Sequence, residues 1–448
     1  MLNIYLEFFK SDAVIMIGKY LLVILPIVLP IMFLYTLWVI RFRWLTMKYL
    51  EKQKPCLLEI RLPKEITKSP AAMEIFFSHL EQGGAGNYSE AFLDGKTRPW
   101  FSCEIVSTGG FVRFFVWCSE EKFRNIVEAQ LYAQFPNLEI FEAEDYTKDF
   151  YFDPEKYQLA AVQYTLTKGD VFPIKTYIDY GLDEDQKDEY KIDPLTSVLE
   201  YMGALKQGEN AWIQIMLQKH EPESWLHGKL TLDVKPDKAN LFQRISMNLF
   251  GKSKSLKDEV KEEIQKIKES TLTIPEKGSD EKIMKFPNPT KGNIEIIAAL
   301  ERSASKAPFD CMIRSVYIAE KAAFLPVNVG GLIGGLKQFG SNNLNGFKPG
   351  GKGADITKTQ KDLLRVFPFL KKRYDKKIST WKKGMLYSYK LRSFFQWPYK
   401  NYRKTPPFVL TTEELATLFH FPSGMVSQTP TLKRVTSKKS EAPSNLPI

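Results

Sequence analysis

Cysteine and histidine are scarce in this chain, with four of each among 448 residues. The cysteines form no CxxC pair, and no histidine stands at ligand spacing from any of them; they are Cys56, Cys103, Cys118 and Cys311. A structural zinc site needs clustered ligands, so we predict no metal site. Buried, reduced thiols are the expected state, and they fit a cytoplasmic compartment.

Catalytic motifs are missing as well: the sequence has no GxSxG elbow, HExxH pair or HxE…CxxC pattern. Two segments, 90–97 and 246–253, approach the phosphate-binding pattern GxxxxGK followed by Ser or Thr, but each lacks the first glycine. A working loop also needs a strand before it and a helix after it, and neither segment has that context. We therefore predict no ATP site, no cofactor and no enzyme.

Acidic residues are outnumbered, 52 against 63 Lys and Arg, and the formal net charge is +11. Residues 371–404 contain twelve basic residues, nine aromatic residues and the single acid Asp375. This mixture suits single-stranded nucleic acid or an anionic lipid surface. Alternatively, the rings pack on the chain's own domain and the lysines are solvated. The residues predicted to form the lipid or nucleic-acid surface are Lys371, Lys372, Arg373, Trp381, Lys382, Lys383, Lys390, Arg392, Trp397 and Tyr399.

One long apolar run, residues 20–40, contains no charge. At about 1.5 Å per residue it spans the ~30 Å hydrocarbon layer, so we predict a single-pass membrane helix. Arg41, Arg43 and Lys48 follow it, whereas acids dilute the basic residues before it. The positive-inside rule then leaves the short N-terminus, 1–19, outside and the bulk of the chain in the cytoplasm. The expected location is the inner (cytoplasmic) membrane, and residues 41–55 are a juxtamembrane linker.

Residues 56–150 show the pattern of a ferredoxin-like domain. Its first strand alternates apolar and polar residues, and Ser69-Pro70 begins a helix. Thr108-Gly109-Gly110 signals a hairpin between the next two strands, because glycine accepts the positive φ of such turns. A helix at 119–134 and a strand at 138–142 complete the order βαββαβ, which predicts two helices on one face of a four-stranded antiparallel sheet.

Residues 151–339 repeat this order more loosely. Strands are predicted at 159–166, 211–218 and 309–319, and a final helix at 320–339. The fold class is therefore α+β: one N-terminal transmembrane helix followed by tandem ferredoxin-like domains, the second with a long helical insertion.

The insertion, residues 221–305, includes a charged helix with a narrow apolar seam. This helix either packs on its own domain or docks a partner. Further on, the glycine pairs of VGGLIGGLK permit a close helix–helix approach or a broken helix. Residues 340–370 contain a Gly- and Asn-rich run typical of a flexible linker.

The last region, residues 405–448, contains a helix with strong boundary signals. Thr411 and Glu414 match the capping box, three apolar residues at helical spacing follow, and Pro422 prevents continuation. The segment LTTEELATLFHFP (410–422) resembles the short helical signature of membrane-anchored, coupling-protein-like ATPases of type IV secretion and conjugation, in the HerA–FtsK superfamily. The tail TPTLKRVTSKKSEAPSNLPI is similar to the strand and P-x-N-L-P sequence that introduce the ATPase core of that family.

The resemblance covers the N-terminal layout loosely and about forty C-terminal residues specifically. The family's core would begin near residue 448, so no Walker A, Walker B or arginine-finger position can be matched here. The resemblance implies a junction whose ATPase half is a separate chain or was lost.

We therefore expect a non-catalytic, membrane-anchored subunit of a type IV secretion or conjugation-like translocation machine. It would dock and position a separate P-loop ATPase, and a homo-oligomer is compatible with this role. The alternatives are a membrane-tethered nucleic-acid-binding protein, with DNA as partner, and an envelope scaffold. The residues expected to contact the ATPase are Glu414, Leu415, Leu418, Phe419, Phe421 and Pro422.

Overall fold

The chain divides into two compact units. One unit contains Met1–Lys52 and Gly86–Thr97, and the other contains Gln53–Ala85 and Arg98–Ile448. The predicted mixture of helices and strands is confirmed. This computed structural model describes residues 12–63, 66, 68–81, 90, 93–148, 150–183, 192–220, 256–270, 289–350, 369–395, 405–422 and 434–435.

The first unit is dominated by one long helix, α1 (Asp12–Lys52). Its segment Val28–Lys52 is long and apolar enough to cross a membrane. The most apolar part of this segment is not buried within the protein. A signal sequence near an N-terminus meets the same criteria of length and composition. The helix continues through Pro26 and Pro30, and it extends beyond the predicted residues 20–40 at both ends.

The strands of the second unit form one sheet in the order β10–β1–β3–β2–β6–β7–β5–β8, and in addition β4 pairs with β1 and β9 pairs with β7. All described pairs are antiparallel except β1 with β10. The strands are β1 (Cys56–Pro63), β2 (Trp100–Thr108), β3 (Phe111–Cys118), β4 (Glu139–Glu142), β5 (Tyr157–Leu166), β6 (Glu209–Lys219), β7 (Pro308–Glu320), β8 (Phe347–Pro349), β9 (Phe408–Thr411) and β10 (Arg434–Val435).

Helices connect or flank these strands. They are α2 (Ala71–Leu80), α3 (Arg124–Gln134), α4 (Pro194–Gly203), α5 (Leu256–Ser270), α6 (Lys291–Ala304), α7 (Pro326–Lys337), α8 (Phe369–Lys390) and α9 (Thr412–Leu418).

The first half of the sheet follows the predicted order of elements, β1–α2–β2–β3–α3–β4. The hairpin between β2 and β3 is confirmed: Gly109 and Gly110 have φ values of +58° and +88°. A Cβ atom on Gly110 would lie 2.6 Å from the carbonyl oxygen of Leu205, so glycine is required there by space as well as by conformation. The predicted helix 119–134 is a short 3-10 turn, Glu121–Phe123, followed by α3.

The second half is built from β5, β6, β7 and β8, and it joins the first half along one continuous strand pair. β2 and β6 are antiparallel partners from Trp100–Gln218 to Thr108–Asn210. The predicted helix 320–339 begins later, at Pro326, because a turn closed by the hydrogen bond from Ala323 N to Glu320 O follows β7. Proline suits this first helical position, where its missing N–H has no cost.

The charged helix of the insertion packs within its own chain. In α5, Val260 and Ile264 are buried against Leu300 of α6, with Phe172 at the edge of the cluster. This supports the first of the two alternatives for the apolar seam. The glycine-rich helix α7 is unbroken, and Gly331 and Gly335 approach Tyr201 and Val198 of α4.

The two faces of the sheet have different coverings. The main apolar core lies between one face and the helices α2, α3, α4, α7 and α9, because alternate strand residues such as Ile105 and Ile213 face these helices. Their neighbours in sequence, Glu104 and Gln214, face the other side of the sheet. There they form hydrogen bonds with residues near the end of α8, and Glu104 and Arg392 form a buried ion pair on this face.

Candidate functional site

The C-terminal motif that resembles the secretion ATPases folds as β9 followed by α9. β9 extends the sheet by pairing with the start of β7, from Phe408–Cys311 to Thr411–Pro308. The predicted capping box is confirmed: Thr411 N and Thr411 Oγ1 donate to Glu414 Oε2 at 2.8 and 2.9 Å. The other oxygen of Glu414 accepts from Ile174 N at 2.9 Å, so this carboxyl group also holds a distant loop.

The aromatic end of the motif is packed against the first half of the sheet. Phe419 and Phe421 both contact the ring of Phe114 on β3 edge-on, with centroids 5.7 and 5.6 Å away. Phe421 also contacts Phe135 at the end of α3. Such edge-to-face pairs add about 0.5–1.5 kcal/mol each beyond the area they bury.

The polar face of the same helix is bound to the second half. Glu413 Oε1 accepts from Thr176 Oγ1 at 2.6 Å and from Arg302 Nε of α6 at 2.9 Å. Thr417 Oγ1 accepts from Tyr177 N at 2.9 Å. Burial raises the pKa of Glu413, although Thr176 and Arg302 oppose that shift. Helix α9 and the aromatic residues directly after it therefore join both halves of the sheet through side-chain contacts.

A buried ion pair closes the motif. His420 Nε2 lies 3.2 Å from Asp193 Oδ2, the N-cap residue of α4, and both side chains are almost fully buried. Burial alone would lower the pKa of His420, but the Asp193 carboxylate raises it. The same pairing lowers the pKa of Asp193 against the opposing effect of burial. A cation is favourable at the C-terminal end of a helix, and the structure also supplies Asp193 as a specific acid for His420.

The six residues predicted to contact an ATPase are inside the protein. They are Glu414, Leu415, Leu418, Phe419, Phe421 and Pro422, and each is buried. Their side chains contact the core of this chain, so they present no free surface in this structure. Direct contact with an ATPase stays a prediction, and it would require the motif to leave its own core.

The second candidate region, the basic aromatic stretch, contains α8, and its last residues are buried on the opposite face of the sheet. Arg392 has a positive φ of 46° and is only 1% exposed. Its Nε donates to Glu104 Oε1 at 3.0 Å, and its Nη2 donates to Asp145 Oδ1 at 3.1 Å. Burial would lower the pKa of Arg392, but these carboxylates raise it well above the usual range.

Arg314 on β7 is a second buried cation beside this pair. Its Nε donates to Gln214 Oε1 at 2.6 Å, and its Nη2 donates to the carbonyl oxygen of Ser388 in the last turn of α8 at 2.7 Å. Burial lowers the pKa of Arg314 to about 9. A cation at the C-terminal carbonyls of a helix is favourable, so Arg314 fixes the end of α8 on the sheet.

Aromatic residues complete this charge cluster. Tyr146 donates to Glu104 Oε2 at 2.7 Å and shares a hydrogen bond with Tyr389 of α8 at 2.9 Å. Trp212 packs on both rings, with centroids 5.4 Å away in each case. We define the charge cluster as Glu104, Asp145, Tyr146, Gln214, Arg314, Tyr389 and Arg392.

The structure therefore separates the ten predicted surface residues. Arg392 is internal, and Lys390 Nζ donates to the carbonyl oxygen of Phe150. Lys383 is exposed, whereas Trp381 and Lys382 are half-buried. Lys371, Lys372 and Arg373 belong to α8, and Trp397 and Tyr399 lie outside the described residues.

Sequence reasoning missed Glu104, Asp145 and Arg314 as partners of this region. A signal was available, because the strands place polar and large apolar residues together on one face. On β2, Glu104 and Val106 are two residues apart and so share a face of the sheet. On β7, Arg314 shares a face with Met312 and Val316 in the same way. A solvated face would not contain so many large apolar side chains, so this mixture indicates a covered polar face.

The segment 90–97, with its phosphate-loop-like ending, packs on α1 within the first unit. Gly95 has a φ of +70°, and a Cβ atom there would lie 2.4 Å from the carbonyl carbon of Leu45. Lys96 Nζ lies 2.8 Å from Glu90 Oε2, so the lysine is engaged with an acid. The other phosphate-loop-like segment, 246–253, lies outside the described residues.

Metal-binding geometry is not seen in the part of the chain that the structure describes, where no three potential ligands cluster. The four cysteines are buried as free thiols, and Cys56 and Cys118 are direct partners across β1 and β3.

A family model described as "Domain of unknown function (DUF8128)" matches residues 51–434, which is most of the chain and includes strands β1 to β9. The chain belongs to this family. The match begins at the end of α1 and ends at β10, so the DUF8128 region includes both the charge cluster and the C-terminal motif. No curated protein matches the sequence.

Proposed function

We propose that this chain is a non-catalytic, membrane-anchored subunit of a type IV secretion or conjugation-like translocation machine, in which it docks and positions a P-loop ATPase. The observation that supports this role best is the attachment of the C-terminal motif to both halves of the sheet. In the family that the motif resembles, the same segment leads into the ATPase core. A motif bound through Glu413, Phe421 and His420 gives that junction a fixed position on the domain.

In this proposal the motif positions the ATPase instead of offering it an exposed docking surface. A motor that hydrolyses ATP exerts force on whatever holds it, and a flexible connection would dissipate that force. Contacts on two sides of α9 resist both bending and rotation of the junction. Its restraining partners include Arg302, which pairs with Glu413, and Phe114, which packs against Phe419 directly after the helix.

Two finer structural proposals belong to the same role. We infer that each half of the sheet is a ferredoxin-like unit, because the pairing orders are β4–β1–β3–β2 and β8–β5–β7–β6. When each half is numbered from its own first strand, both orders are 4-1-3-2. In this view the halves are joined edge to edge through β2 and β6.

We infer also that α1 is a transmembrane anchor in the inner (cytoplasmic) membrane, with the N-terminus outside and the DUF8128 region in the cytoplasm. The basic residues Arg41, Arg43 and Lys48 follow the apolar segment, as the positive-inside rule requires. Protease added to sealed right-side-out and inside-out vesicles checks this orientation. The DUF8128 region should be cleaved only in inside-out vesicles, and cleavage in right-side-out vesicles would reverse the assignment.

Co-purification tests the proposed role. The full chain, tagged between residue 10 and the apolar run, is captured from solubilised native membranes, and its partners are identified by mass spectrometry. A P-loop ATPase should be recovered with the wild type and reduced with Arg302→Gln, which removes the ion pair to Glu413 of α9 without leaving an apolar cavity.

The matched control is Arg124→Gln, which breaks ion pairs on the outer face of α3 and should leave recovery unchanged. Failure of the wild type to recover any ATPase would refute the proposal. Recovery of nucleic acid or of envelope proteins alone would favour the tethered DNA-binding protein or the scaffold.

A further inference from the structure

The helix α8 consists of two parts with different surroundings. From Met385 onward it is attached to the sheet: Met385, Leu386 and Tyr389 are buried. Before that point Lys376 and Lys383 are exposed to solvent. Cations in and directly after the attached part have internal partners: Lys390 donates to the carbonyl oxygen of Phe150, and Arg392 pairs with carboxylates. The exposed cations are therefore concentrated in the earlier part of the helix.

Four exposed residues lie on one face of the helix. Lys376, Thr380, Lys383 and Tyr387 follow each other at spacings of four, three and four residues, and each is exposed. Residues at these spacings are neighbours along a helix surface. In the sequence, Lys372 and Arg373 stand four and three residues before Lys376. The single acid of the stretch, Asp375, is exposed but lies off this line. We call Lys372, Arg373, Lys376, Lys383 and Tyr387 the cationic stripe.

We propose that the cationic stripe of α8 binds the anionic headgroups of phospholipids at the membrane surface. Clusters of four or more basic residues near a bilayer are attracted to anionic lipid, and tyrosine is favoured at headgroup level. A candidate membrane span is part of the same chain. The covalent connection keeps a bilayer at high effective concentration, so even a modest attraction is sufficient. This inference does not depend on the ATPase role.

Nucleic acid fits the structure less well, because base stacking requires exposed aromatic rings. Tyr389 is fully buried, hydrogen-bonded to Tyr146 and packed on Trp212. Phe394 and Phe395 are buried against each other. Among the aromatic side chains of this stretch that are described, Tyr387 is exposed and Trp381 is half-buried. The structure thus leaves Lys376 and Lys383 on the surface, while three of these five rings are buried.

The full chain, reconstituted into lipid vesicles, tests this proposal. Thr380→Cys places a thiol within the stripe for a fluorescent label, and the natural cysteines are buried, namely Cys56, Cys103, Cys118 and Cys311. A quencher attached to lipid headgroups reports contact with the label. We expect quenching in vesicles that contain phosphatidylglycerol, little in pure phosphatidylcholine, and loss of quenching at high salt because exposed charges are screened.

Removing the cations should remove the contact. The variant Lys372→Gln, Arg373→Gln, Lys376→Gln and Lys383→Gln should reduce quenching to the phosphatidylcholine level, with an affinity loss of about fivefold per cation. The control removes four cations from the exposed face of α5, as Lys257→Gln, Lys261→Gln, Lys266→Gln and Lys268→Gln. This control should quench like the wild type.

Three results would overturn the proposal. Equal quenching in the two lipid compositions would show that the negative headgroup is not recognised. If the α5 control lost as much quenching as the stripe variant, the effect would come from the net charge of the chain and not from the stripe. Binding of labelled single-stranded DNA that requires the stripe, with no quenching by lipid, would assign the stripe to nucleic acid. If the fourfold variant folds poorly, the dependence of quenching on salt and on lipid composition, measured with the Thr380→Cys chain alone, still tests the proposal.

Discussion

Arg392 Nε lies 3.0 Å from Oε1 of Glu104, although the two residues are 288 positions apart in the chain. Both side chains are at most 1% exposed, and the arginine follows α8 while the glutamate stands on β2. The pair therefore attaches the end of the basic stretch to the centre of the sheet. Asp145 provides a second carboxylate and Trp100 Nε1 donates to the carbonyl oxygen of Arg392 at 2.8 Å.

Removing one partner of this pair should be strongly destabilising. We expect Arg392→Gln to lower the free energy of unfolding by about 3–5 kcal/mol, because Glu104 would be left buried without its cation. Urea unfolding in detergent, followed by tryptophan fluorescence, measures this change. The exposed pair variant Arg124→Gln serves as control and should change stability by only about 0–1 kcal/mol.

The double variant Glu104→Gln with Arg392→Gln tests whether the pair acts as a unit. Its loss of stability should be smaller than the sum of the two single losses, since neither charge is left alone. Strict additivity would show that Asp145 or other neighbours compensate and that the Glu104–Arg392 contact is not the main connection.

Glu414 should make stability depend on pH. Burial raises its pKa from 4.5 to about 7, so the folded state holds its proton more tightly than the unfolded state. The contribution of Glu414 to the free energy of unfolding is complete below about pH 4.5 and is lost as the pH rises through about 7. This contribution is at most about 3 kcal/mol. Urea midpoints between pH 5 and pH 8 should fall less steeply in Glu414→Gln than in the wild type. Parallel curves would contradict this.

The His420–Asp193 pair should act at higher pH. Because the pKa of His420 is raised above 6.5, its contribution is complete below about pH 6.5 and is lost as the pH rises through the raised value. On the acid side, the lowered pKa of Asp193 means that its contribution is lost only below its ordinary value of 3.8. His420→Gln should remove the loss of stability that the wild type shows as the pH rises above about 6.5. In urea unfolding, the difference in the free energy of unfolding between this variant and the wild type should be greatest near pH 6.

The contact between α7 and α4 should require glycine at one position and tolerate alanine one residue away. A Cβ atom on Gly331 would lie 2.4 Å from the ring of Tyr201, whose hydroxyl donates to the carbonyl oxygen of Asn328. We expect Gly331→Ala to cost about 1–3 kcal/mol through overpacking.

The same helix supplies the controls for that substitution. Nothing lies within 4 Å of a Cβ atom on Gly330 or Gly334. Alanine at either position should be neutral or stabilising by up to about 1 kcal/mol, because it favours the helix. A similar loss at Gly330 and Gly331 in thermal unfolding would contradict the packing argument.

Several local features could be predicted from sequence because their causes are local. The alternation of 57–62, the Gly109-Gly110 turn and the capping box of Thr411 each depend on residues a few positions apart. Val127 and Leu131, four residues apart on α3, are both buried, as apolar residues at helical spacing are expected to be. The apolar run within α1 is recognisable for the same reason, because its length and composition are themselves the signal.

Tertiary structure alone decided how these elements are combined. The pairing of β2 with β6 makes one sheet of two sequence halves, and no local pattern selects that partner. The motif at 410–422 has the composition of a docking segment, yet its residues fill the chain's own core. Arg392 belongs to a run of basic residues that suggests a surface, but two distant carboxylates make its burial favourable. Sequence determines which groups are charged or apolar, whereas burial depends on partners that only folding brings within contact distance.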